Sequence, residues 1–187
     1  MRLSKPVELD QISQVLSRAG CPICTFLRNE QAALLRGGIK AREVTGLCNF
    51  HSWALAAAIS SKSAAEIFLN VLRQLDPAHP GPCSFCARIA KYEAELLKEM
   101  AVNLESGLVS NWMSHQGIFC GPHALQLKQF APAGLHERID GIQQRTQNEV
   151  REGLEQLLQR FETDKHSGSG ILGRAAEFVS SQRGIGR

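Results

Sequence analysis

Six cysteines occur in this chain, and every one of them falls in one of two copies of a single arrangement. Cys21-Pro-Ile-Cys24 is followed by Cys48-Asn-Phe-His51, and Cys83-Ser-Phe-Cys86 by Cys120-Gly-Pro-His123. Each copy supplies three thiols and one imidazole, the ligand number and type of a closed tetrahedral zinc site. Two sulfurs separated by two residues reach one ion when the chain turns at the first cysteine and starts a helix at the second. Pro22 and Pro82 suit such a turn, because proline lacks an N–H that would be unpaired there anyway. A helix N-terminus also lowers the pKa of a nearby thiol and favours the thiolate that binds metal. In each CxxH the ligands are three apart and share a face if the backbone is helical. Gly46 and Gly117 stand just ahead, where a chain arriving from a loop calls for a positive φ.

The candidate metal ligands are therefore Cys21, Cys24, Cys48, His51, Cys83, Cys86, Cys120 and His123. Spacing alone leaves two pairings open. The first CxxC shares an ion with the first CxxH, or the copies exchange halves across a pseudo-twofold. Like cysteines are offset by 62 and 72 residues, as an internal duplication would leave them.

The rest of the chain reads as helix. β-branched runs are almost absent and only one Tyr and two Trp occur, whereas Ala, Leu, Gln and Glu are abundant. The expected fold is all-α, with two related CxxC…CxxH modules, a long C-terminal amphipathic helix and a short last helix. Apolar residues at 9, 12, 15, 16 and 19 predict a first helix capped by Gly20. A second runs from Cys21 to Gly37-Gly38, and a polar loop, 39–45, returns to Cys48. Residues 53–59 are apolar nearly all round and are expected to be buried. Ser63-Ala64-Ala65-Glu66 is a capping box for a helix whose face is Ile67, Phe68, Val71, Leu72 and Leu75. The prolines and glycine of residues 76–82 mark a module boundary. The expected divisions are 1–77, 78–131 and 132–187.

In the second copy, apolar positions 85, 89, 92, 96, 97, 100 and 104 trace one stripe, and a further segment covers 108–113. Over 133–162, Leu135, Ile139, Ile142, Thr146, Val150, Leu154, Leu157 and Phe161 form a seam, with Gln143 and other glutamines facing elsewhere. That seam serves for docking within the chain, or for a homodimer or partner helix. Residues 166–170 read as a joint, 171–179 as the last helix and 182–187 as a basic end.

Residues 1–8 lack an apolar core of signal-peptide length, and no stretch approaches the roughly 18 to 20 apolar residues of a membrane span. A cytoplasmic protein is expected, whose thiols stay reduced and free for metal. The CPxC and GxCxxH elements, the degenerate second copy and the closing Gly173-Arg174-Ala175-Ala176-Glu177-Phe178 together resemble a bacterial family of unknown function with duplicated CPxC and G-F-C-x-x-H elements. Leu47 and Ser84 depart from that pattern without removing a ligand. The resemblance implies the same metal sites, brings no established activity with it and leaves the function open.

Three functions compete. One is a zinc-stabilised helical interaction or regulatory module holding two zinc ions, more a non-enzyme than an enzyme; four protein ligands leave no open position for substrate water, which argues against a zinc hydrolase. Another is a redox protein using iron–sulfur clusters or reactive dithiols at the same residues. The last is nucleic-acid binding through Arg28, Arg36, Lys40 and Arg42, which come without interleaved aromatics. His79, His115, His136 and His166 lack ligand spacing, although His115 lies near Cys120.

Overall fold

The computed structural model describes residues 9–18, 20–76, 81–115 and 117–163, with Ile171 and Ala175. The joint at 166–170, the basic end and most of the last helix lie outside the described residues, as do the side chains of Leu9 and Phe161. Eight α-helices and no strand occur among the described residues. In order they are α1 (Leu9–Leu16), α2 (Pro22–Ala33), α3 (Asn49–Ala58), α4 (Ser61–Gln74), α5 (Ser84–Val102), α6 (Gly107–His115), α7 (Gly121–Phe130) and α8 (His136–Thr163). A π-helical turn, Leu34–Gly38, follows α2, and short 3-10 turns occupy Ala41–Glu43 and Ala133–Leu135.

The chain divides into two compact units. Among the described residues one, the flanking unit, joins those up to Thr25 with those from Glu95; the other, the insert unit, is Phe26–Ala94. The divisions fall inside α2 and α5, so each of these helices serves both units. The expected boundary after residue 77 lies within the insert's span, at a stretch of which residues 77–80 are outside the description.

The insert unit is built on Leu34, Ile39, Val44, Leu55, Ile67 and Phe85, all buried. Its 39–45 loop is less polar in use than in composition, because Ile39 and Val44 reach the core. Asn70 of α4 pins that loop by donating from Nδ2 to the carbonyls of Ala41 and Val44, both at 3.0 Å. Gly37, inside the π turn, has φ of 109°, a conformation that glycine adopts without the Cβ penalty. Three expectations fail here. The N-cap of α4 is Ser60, whose Oγ accepts from the Ser63 N–H at 3.3 Å, so the helix starts three residues before the expected capping box. And α3, apolar nearly all round, buries only His51 and Leu55 and leaves Trp53 73% exposed. The face of α4 is likewise narrower than expected: Ala64 and Ile67 are buried, whereas Leu72 and Leu75 are exposed.

In the flanking unit the periodic residues do what their spacing predicts. Ile12, Val15 and Leu16 of α1 are buried, as are Leu96, Leu97 and Met100 of α5 and Leu104 just beyond it. Along α8 the seam buries Ile139, Ile142, Thr146, Val150 and Leu157, and α8 packs against α7. The Thr146 hydroxyl is satisfied locally by donating to the Ile142 carbonyl at 2.9 Å, which makes a polar residue tolerable in the stripe.

Candidate metal centres

All four cysteine-containing motifs use the same local device. Cys21, Cys48, Cys83 and Cys120 each stand immediately before a helix, α2, α3, α5 and α7, and their carbonyls accept the first intrahelical bonds, from Thr25, Ser52, Ala87 and Ala124 at 2.9–3.0 Å. The second ligand of each motif, Cys24, His51, Cys86 or His123, is then the third residue of that helix, on the same side of its first turn. The helix begins directly after the first ligand rather than at the second. Cys48 and Cys120 have extended backbone, with φ, ψ of −81°, 164° and −69°, 154°, and neither sulfur caps its helix.

These four helix starts meet in two pairs, and the pairs are crosswise. Cys21 and Cys24 meet Cys120 and His123 in the flanking unit; Cys48 and His51 meet Cys83 and Cys86 in the insert unit. Within each group the four ligand atoms lie within 4.8 Å of one another. Of the pairings that spacing left open, the exchanged one is found. Each group therefore sits at two helix N-termini, whose partial positive charge favours thiolates.

The distances are those of ligands around a single ion. His123 Nδ1 is 3.5, 3.3 and 3.0 Å from the sulfurs of Cys21, Cys24 and Cys120, and Cys24 Sγ is 3.7 Å from Cys120 Sγ. His51 Nδ1 is 3.3, 3.4 and 3.4 Å from Cys48, Cys83 and Cys86, with 3.8 Å between the sulfurs of Cys48 and Cys86. A tetrahedral ion with bonds of about 2.3 Å to sulfur and about 2.0–2.1 Å to nitrogen places two sulfurs about 3.8 Å apart and sulfur and nitrogen about 3.5 Å apart. The eight side chains fit such an ion in both places.

The insert site shows what three thiols do to one another. Burial pushes Cys83 up, but backbone N–H groups, of Cys86 and Cys48 foremost, outweigh it and leave the thiol below its ordinary value. Burial and the neighbouring thiols of Cys83 and Cys48 push Cys86 up to about 12. A cation among the sulfurs removes that conflict, since metal ligation holds all of them as thiolates.

Supporting residues differ between the sites. At the insert site, Ser84 donates its N–H to the Gly46 carbonyl at 3.0 Å, and its Oγ accepts from the Thr45 N–H at 3.0 Å. A proline at position 84 would lack that N–H, so this departure from the CPxC pattern ties the two halves of the site together. The His51 ring stacks on Phe85 at 5.3 Å and meets Phe50 edge-on at 5.1 Å, and the Gln31 amide stands 3.5 Å from Nε2. At the flanking site, Gln143 of α8 donates to the Phe119 carbonyl at 2.7 Å and Arg145 to the Gly117 carbonyl at 3.1 Å. Together they hold the loop that delivers Cys120. Gln143 was expected to face elsewhere, and periodicity gives no signal for a side chain that bonds backbone rather than packing. His115, nearest to Cys120 in sequence among the other histidines, is exposed at the end of α6.

Neither Gly46 nor Gly117 takes a positive φ; among the described glycines only Gly20 and Gly37 do. Their need for glycine is close approach. A Cβ at Gly46 would lie 2.7 Å from the Pro82 carbonyl oxygen, and one at Gly117 would lie 2.8 Å from Met113 Cα. Gly46→Ala is expected to push apart the two arms of the insert site and to destabilise the chain by about 1–3 kcal/mol, as overpacking against backbone does. Denaturant unfolding of the two proteins measures this, and an unchanged midpoint would refute it.

No helix among the described residues is long and apolar enough to cross a membrane. Compared with family models, curated proteins and solved structures, the chain matches none of them.

Proposed function

We propose that this chain is a zinc protein with two structural Cys3His centres, serving as a non-enzymatic interaction or regulatory module. The observation that carries the reading is the pair of ligand sets at single-ion distances, with sulfur separations of 3.7 and 3.8 Å. Four protein donors complete a tetrahedral shell and leave no coordination position for substrate, which separates structural from catalytic zinc. In an iron–sulfur cluster the ligands are distributed over different irons, so a spread wider than one coordination sphere would be needed. A thioredoxin-like dithiol also fits poorly, because Cys24 has His123 Nδ1 at 3.3 Å and no strand flanks it among the described residues.

The interaction half of the reading is supported by α3, which presents Trp53 and the Ala56–58 run at the surface although its composition suits burial. The partner is another protein or a second copy of the chain, and the compartment is the cytoplasm, where thiols stay reduced.

Elemental analysis of purified protein, with an absorption spectrum, tests the metal. About two zinc ions per chain and a colourless solution are expected. Visible absorption with iron and acid-labile sulfide would replace this reading with the cluster one.

A further inference from the structure

The two centres have the same donors and very different surroundings. At the flanking site all four ligands are buried, Cys21, Cys24, Cys120 and His123 being at most 1% exposed. At the insert site only His51 is buried; Cys48 and Cys83 are half-buried and Cys86 is exposed.

We propose that the insert site is a metal-exchange site, passing its ion through the open edge at Cys86 to soft thiol ligands and recovering it from them, while the flanking site keeps its ion. This rests on the metal-binding reading above and adds to it a division of labour between the centres.

Replacement on a four-coordinate ion needs an incoming donor to reach it as one protein ligand leaves. In the flanking unit no sulfur is open to such a donor. Its delivering loop is also packed, with Phe119 fully buried, Trp112 edge-on to it at 5.2 Å, and the Phe119 carbonyl held by Gln143. In the insert unit one wall is fixed and the other is open. The fixed wall is His51 stacked on the fully buried Phe85. The open side is Cys86, with partly exposed bonds nearby: Thr45 to Ser84, and Arg88 to Glu43 at 3.3 Å.

Cys86 occupies the first turn of α5, and its departure breaks no backbone bond. In the exchange step a lone pair of the incoming thiolate forms a bond to the ion. The bond from the ion to Cys86 Sγ breaks with its electron pair remaining on sulfur, and that sulfur takes a proton from water. The ion keeps its oxidation state, so no oxidant or reductant takes part. A second donor then displaces Cys83 or Cys48, and the ion leaves; reloading runs the same steps backwards.

The test uses the full-length, zinc-loaded chain, after its metal content has been measured. It is mixed with excess of a coloured zinc chelator, 4-(2-pyridylazo)resorcinol, and release is followed with time. Two phases of one ion each are expected, with rates separated by about 10–100-fold, the scale on which a site's surroundings change its hold on metal. Iodoacetamide added during the fast phase, followed by peptide mass spectrometry, is expected to label Cys86, Cys83 and Cys48 before Cys21, Cys24 and Cys120. Cys86→Ser is expected to abolish the fast phase and leave the slow one. Should that variant fold poorly, the labelling order in the unaltered chain still decides. One common rate for both ions, or labelling of the flanking cysteines first, would overturn the exchange assignment alone. A chain that never held two ions would overturn the metal reading beneath it as well.

Discussion

Removing both ions with excess chelator at neutral pH is expected to abolish most of the far-ultraviolet helical signal and the cooperative thermal transition, with recovery when zinc is returned. The expectation follows from length. Apart from α5 and α8, the helices contain 8 to 14 residues, and segments below about 12–15 residues are marginal in water without tertiary support. A structural zinc site contributes an apparent binding free energy of about 10–16 kcal/mol, as large as the whole of a typical domain's stability, about 5–15 kcal/mol. Two such sites, each joining two helix starts, would be major contributors to a chain of this size. Circular dichroism of the chelated protein measures the effect, and an unchanged helical signal with both metals gone would show that the apolar cores suffice.

The crosswise pairing has an equally large and separable consequence for metal counting. Cys48→Ser and Cys86→Ser remove ligands from different sequence copies but from the same site. Each variant is expected to hold one ion, and the double variant also one, because the second substitution falls on a centre already lost. If each copy instead closed on itself, the double variant would hold none. Cys24→Ser with Cys48→Ser reverses the contrast: both ions are lost under the crosswise pairing, and one remains under the alternative. Native mass spectrometry reads all these stoichiometries directly. A double-mutant comparison is informative here because the two sites share no ligand.

Much of the molecule was legible before folding. Membership of the two Cys/His clusters was carried by residue type and spacing, and the stripes of α1, α5 and α8 by a 3.6-residue period that the core then honoured at Ile12, Leu96 and Ile139. What the residues could not say was which CxxH each CxxC meets, since the local geometry of a helix start is the same in both pairings and only tertiary topology chooses. Burial of α3 failed for a related reason. Composition states what a side chain would prefer, and Trp53 shows that a preference is not a neighbour. Gln143 and Asn70 were invisible because their work is with carbonyls of distant loops, and such bonds leave no period in the sequence.

The two Cys/His clusters are nested along the chain. Contacts within the insert site span 32 to 38 residues outside the CxxH pair itself, whereas those joining the halves of the flanking site span 96 to 102. The wider circuit encloses the narrower one entirely. Closing a 96-residue circuit from an open chain costs about 0.8 kcal/mol more than closing a 38-residue one. Once the inner knot is tied, much of that excess length is already taken up. On a ribosome, which releases domains from the N-terminal side first, residues 26–94 emerge complete while Cys21 and Cys24 still await Cys120. The order of assembly is thus written into the threading: the cluster with the exposed Cys86 is complete first, and the buried one last.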